Sequence, residues 1–271
     1  MEYLAPLLRL FLYGATVLVA GSVALHATLS VPMGSPLHKR LMVQIGLGSA
    51  VILSVALAMV LQFLLTIAGG DLSMALSPDF VGIAAQTPVG QVAALRIGAV
   101  LALALALCFL APWRWLALLP AVAVLISFGL EGHSLSFGPR WLTSSLVVVH
   151  VAIAAWWLAV IAPLLTVPRE ERDRYGEAFG RQAVFAVPVL LVAGSLLFGV
   201  FTGWQIDFSQ DYQRRMLMKI VAVAGILSIA AANKLYFTGR REFVWALRAE
   251  AAAAVALLAL TAILTATGPE M

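Results

Sequence analysis

Four histidines stand in a chain that is 62% hydrophobic and 11% charged, and imidazole is the side chain that best suits copper, zinc or iron. His150 lies within the apolar run 141–165. Counted from Trp141 it is about 13 Å into a helix that must cross about 30 Å of hydrocarbon, close to the midplane. Trp157 follows two turns later on the same face. Two readings stand for His150: a neutral imidazole hydrogen-bonded to a neighbouring helix, or a metal or haem ligand facing a polar cavity. His133 belongs to Glu131-Gly132-His133-Ser134 at the end of an apolar run. A His beside a Glu at such a mouth captures a cation, or it forms an ordinary polar helix terminus. His26, toward the end of the first run, reads equally as structural or functional.

The remaining polar residues carry weaker signals. Met216 and Met218 flank Lys219; thioethers are soft donors that suit Cu(I), and methionine is also a routine apolar filler. An unpaired charge at the centre of a membrane helix costs about 2.5–3.5 kcal/mol or more. Arg96 and Lys219 lie near the ends of their runs, where snorkelling to headgroups accounts for them. Glu250 is read as opening the last run, where the helix dipole favours an acid. His38, beside Lys39 and Arg40, is read as solvated. No nucleotide loop, serine triad or paired-carboxylate motif is present, so the chain reads as no enzyme, and nothing in it resembles a nucleic-acid-binding module.

The elements that must position these residues follow from composition. A soluble domain carries about 25% charged residues, and a chain of 271 residues with so few needs an apolar solvent, the lipid bilayer. The apolar runs fall at about 7–31, 41–68, 91–111, 113–130, 141–165, 183–203, 216–237 and 250–266. They predict an all-α polytopic bundle of about eight spanning helices, forming one membrane domain over residues 1–271. Pro112 and Trp113 mark a turn between the third and fourth runs. The stretch from Gly69 to Gly90 is the longest outer connection, and Phe80 to Ala85 within it predicts a short interfacial helix. Gly90–Arg96 and Gln213–Lys219 open their runs in similar ways, a faint repeat that divides the bundle into two four-helix halves.

Orientation follows from the basic residues. Eleven of the 17 Lys and Arg fall in the connections after runs one, three, five and seven. Those connections are therefore expected in the cytoplasm and both termini outside. The single cysteine, Cys108, excludes an intramolecular disulfide.

Several motifs together resemble the CopD family, the bacterial inner-membrane copper resistance protein D group. They are Gly132-His133-Ser134; His150 seven residues before Trp157; Tyr212 to Lys219 opening one helix that closes in Asn233-Lys234; and Arg248-Ala249-Glu250 leading to Thr261-Ala262-Ile263-Leu264. Thr87-Pro88, Gly90 and Arg96 fit upstream. The resemblance runs from about Thr87 to the C-terminus and is best from Gly132 onward. The chain departs from the pattern at Leu158-Ala159-Val160, where a Gly pair is usual, and at Gln213, where a Gly is usual.

The resemblance implies movement of copper ions across the bacterial inner membrane, alongside a periplasmic copper-binding protein, and both termini outside suit that arrangement. Glu131 and His133 would collect copper at the outer mouth. His150 would carry it inside the bundle, Met216 or Met218 would add soft donors, and His26 would lie on the inner half. Two alternatives stay open: a b-type cytochrome with His133 and His150 as haem ligands, and a non-transporting assembly factor that holds copper for a partner.

Overall fold

The termini of several helices are written in the sequence. Ser35 precedes Pro36, and its hydroxyl accepts from the His38 backbone N–H at 3.1 Å, a standard N-cap with proline at the first helical position. Pro88 opens another helix, and Pro168 with Glu170 and Glu171 opens the longest. Gly203, at φ 61°, takes the left-handed conformation that ends that helix.

The computed structural model describes residues 4–109, 115–131, 137–237 and 242–267. Within them the chain is a helical bundle without strands. Seven helices are long and apolar enough to cross a membrane: span one (Leu4–Thr28), span two (Pro36–Ile67), span three (Pro88–Phe109), span five (Arg140–Thr166), span six (Arg169–Thr202), span seven (Asp211–Leu235) and span eight (Phe243–Ala266). A shorter apolar helix, Trp115–Gly129, is span four.

Three long-range hydrogen bonds fix which ends lie together. Tyr13, early in span one, donates to Thr265 Oγ1, late in span eight, at 2.9 Å. The two ends of the chain therefore share one face of the bundle. At the other face the Leu37 N–H donates to Glu171 Oε2 at 3.0 Å, and Lys234 Nζ donates to the Gly180 carbonyl at 2.9 Å. The start of span two and the end of span seven thus both meet the first half of span six, as alternating crossings require.

Span one is the axis, packing on spans two, four, five and eight. Its contacts are close because small residues line them. Gly48 of span two sits where a Cβ would come 2.8 Å from the Ala15 carbonyl. Gly21 of span one lies against Ala155 and Ala159 of span five, so the close approach that a Gly pair after Trp157 would provide comes here from span one. Val17–Gly21 is a π turn, and a second, Asn233–Phe237, lies at the end of span seven. One apolar cluster joins Leu12, Val19, Ile52, Leu103 and Val124 toward the termini's face. A second joins Leu25, Leu37, Trp157, Leu164 and Phe243 toward the opposite face.

Two expectations change. The basic stretch after span five is helix, not loop: span six begins at Arg169 and runs for 34 residues, about 51 Å against about 30 Å of hydrocarbon. Nothing between Pro168 and Gly203 ends it before its apolar part, since Pro188 lies inside the helix. Its first turns bear i,i+4 pairs, Arg169–Asp173 and Arg181–Glu177, and Arg172 donates to the last carbonyls of span five, Leu164 at 2.8 Å and Val167 at 3.0 Å. Glu250 does not open span eight, which starts at Phe243; it lies two turns inside. The short helix expected at Phe80–Ala85 is present and slightly longer, Pro78–Gln86, after the short helix Leu72–Ala75. Asp71 caps the latter, and its bonds from the Ser73 hydroxyl and the backbone N–H groups of Met74 and Ser73 hold its carboxyl below the usual range. Pro112, Trp113 and His133 lie outside the described residues.

Candidate functional site

His26 is buried at the end of span one, and its ring meets that of His38 in the first turn of span two, centre to centre 5.0 Å. The solvated reading of His38 therefore changes: it is half-buried against another imidazole. Its neighbours Lys39 and Arg40 are exposed.

His150 lies in span five and packs edge-on against span six. A Cβ on Gly194 would come within 3.1 Å of His150 Cε1 and 3.3 Å of Nδ1, so glycine at 194 leaves the room the ring occupies. The Leu190 carbonyl, one turn earlier on span six, faces the same ring, and Lys219 of span seven acts on it electrostatically. Nδ1 is shielded and has no hydrogen-bond partner of good geometry among the described residues. Gly21 stands level with Trp157, and spans one and five run in parallel. His26 and His150 are therefore roughly 18 Å apart along the helix axis, too far to share an ion.

At the termini's face Glu131 forms an ion pair with Arg96. Arg96 does not snorkel. It is 2% exposed, donates Nε to Ser127 Oγ at 2.9 Å, and lies 5.1 Å above the Phe128 ring. The Ser127 hydroxyl in turn donates to the Val124 carbonyl at 2.6 Å. The buried cation is thereby tied to span four by a charge, a hydroxyl and a ring face.

Glu250 is buried where spans five, seven and eight meet. Its carboxylate accepts from Asn233 Nδ2 at 2.8 Å and from the Trp157 indole. Trp157, Asn233 and Glu250 each belong to a different motif of the resemblance, and the fold gathers them into one polar knot that spacing along the sequence does not reveal. Met216 is half-buried and Met218 is 60% exposed on the outer surface of span seven. Among the described residues no three or more His, Cys, Asp or Glu side chains gather as a metal-holding group. An open groove of about 500 Å³ between spans three and four is lined by Gly98, Ala102, Leu116, Pro120 and similar residues, without a ligating side chain. The chemistry is thus strung out in depth: Glu131 at one face, His150 inside, and the His26–His38 pair at the other.

A family model described as copper resistance protein D-like, N-terminal domain, matches residues 1–138. The match covers the first half of the chain, whereas most of the motifs quoted above lie in the second; the two overlap from Thr87. Three of the four histidines, at 26, 38 and 133, fall within the matched residues. No curated protein and no solved structure matches the chain.

Proposed function

From a chain that belongs to the copper resistance protein D-like family and is a multi-pass membrane protein, we propose a copper permease of the bacterial inner membrane, built as one membrane domain. The observation that carries the reading is the family match together with imidazoles at successive depths of a largely apolar bundle. Copper enters beside Glu131 and His133, passes His150, and leaves past His26 on the side of Lys39 and Arg40. Met216 is the better placed of the two methionines to help, because Met218 points outward. A soluble periplasmic copper-binding protein supplies the ion.

The orientation makes a first prediction. Cysteine labelling at Lys39 and Arg172 is expected to report the cytoplasm, and labelling at Asp79 and Asp211 the outside. Finding Arg172 outside reverses the mouth and the exit.

His150 makes a second. His150→Ala should abolish copper uptake into proteoliposomes while the protein stays folded. The substitution removes at most one or two interhelical hydrogen bonds, each about 0.6 kcal/mol in membranes. A His133→Ala, His150→Ala double variant should be little worse than the poorer single, since steps of one route are non-additive. Wild-type uptake by folded His150→Ala would remove this residue from the route. An absorption spectrum of the same preparation tests the haem b alternative, which requires a Soret band.

A further inference from the structure

Span one carries Ser22 and His26 four residues apart, one above the other on the face turned to span two. Ser22, fully buried, donates to Gln44 Oε1 of span two at 2.7 Å. One turn farther along, His26 meets His38, with ring planes tilted by 53°. His26 is 7% exposed. His38 Nδ1 is shielded from solvent and has no hydrogen-bond partner among the described residues, a costly state for a polar atom. Met42 stands one turn beyond His38 on the same face. Helical side chains lean toward the helix N-terminus, which for Met42 is the direction of His38. Met42 is partly buried, in contact with both apolar clusters.

We propose that His26 and His38, with Met42, form a copper(I) site between the first two spans. The inference rests on the copper-handling reading above and adds to it a site with a ligand set. A metal held about 2 Å from one nitrogen of each ring, at a near-tetrahedral angle, brings two imidazole centres to about 5 Å. The observed separation is 5.0 Å. Two imidazoles and a thioether form a soft, sparse donor set. That disfavours magnesium and calcium, which need many oxygens, and suits Cu(I), a closed-shell ion stable with few ligands. The Glu171 carboxylate, held by the Leu37 N–H at 3.0 Å, places negative charge beside this end of span two, which attracts a cation. Lys39 and Arg40, next to His38 in sequence, are exposed. All three ligands fall within the residues that match the family, and the pair is a station separate from His150.

The test uses the full chain in nanodiscs, loaded with Cu(I) from a chromophoric competing chelator under reducing conditions. X-ray absorption of the loaded wild type should show scattering from two imidazoles and one sulfur. His26→Ala and His38→Gln should each weaken Cu(I) binding by more than about tenfold, since even outer-shell changes at metal sites cost that much. Met42→Leu should remove the sulfur contribution with a smaller fall in affinity. His38 is half-exposed in the first helical turn, so His38→Gln keeps the fold, and the wild-type spectrum reads the ligands without any variant. Loaded wild type without imidazole scattering, or His38→Gln binding Cu(I) as the wild type does, overturns the site and leaves the copper reading standing. A wild type that takes up no Cu(I) and confers no copper phenotype on cells overturns both.

Discussion

Glu131→Ala is expected to destabilise the folded protein by about 3–5 kcal/mol, the scale for removing one partner of a buried ion pair. The cost arises less at Glu131, whose side chain is 29% exposed, than at Arg96, which is 2% exposed and would keep its charge without its counterion. Ser127 Oγ and the Phe128 ring remain to it, and neither neutralises a guanidinium. A paired replacement should restore most of the loss: Arg96→Met with Glu131→Leu exchanges charges for apolar groups of similar volume, a change often neutral in buried sites. Thermal unfolding of the wild type, Arg96→Met, Glu131→Leu and the double variant in one detergent measures the coupling. A single Glu131→Ala that costs less than about 1 kcal/mol, the range of exposed pairs, would show that Arg96 finds water and that the pair is ornamental. The pairing also bears on transport. A carboxylate already neutralised by a guanidinium is a weaker trap for a cation, so His133 carries more of any capture at this mouth.

The helices were legible because their signal is cumulative: a run of twenty apolar residues needs no partner to be read, and Pro36, Pro88 and Gly203 punctuate it. Span six was legible only in its apolar part. Its first turns are amphipathic, and charged residues such as Arg169, Arg172 and Glu177 read as loop until Pro168 and Gly203 are seen to bound one helix. The site was less legible because pairing across helices leaves no trace in spacing. His38 sits beside Lys39 and Arg40, and its sequence neighbours suggest water; its spatial neighbour is His26. One local signal was available, Ser22 and His26 at helical spacing, which marks a polar stripe that some other helix must face. Arg96 is hidden from a reading along the chain for the same reason. Distance from the helix end suggested snorkelling, while the partner that holds it inward lies 35 positions away at Glu131.

Gly21→Val is expected to be the most damaging single substitution in the transmembrane packing. A β-carbon there would run into the Ala155 carbonyl, 2.7 Å from its carbon and 2.5 Å from Ala159 Cβ. These are atoms of a helix backbone and of a side chain with no rotamers, so neither can yield by turning. Spans one and five must separate instead. Overpacking of this kind costs about 1–3 kcal/mol for a modest intrusion; a branched side chain that prises two helices apart should exceed it, with loss of folded protein from the membrane. Gly14→Val is the control, since nothing lies within 4 Å of a Cβ at Gly14, and its unfolding temperature should stay near the wild type. Gly21→Ala is the informative intermediate. Its methyl shifts span one beside the π turn Val17–Gly21, and His26 lies five residues farther along the same helix. A variant that remains folded should therefore move His26 away from His38 and lose Cu(I) affinity without touching a ligand. If Gly21→Ala and Gly21→Val both unfold at the temperature of Gly14→Val, the contact of spans one and five is looser than the structure shows, and span one is not the axis on which the bundle is built.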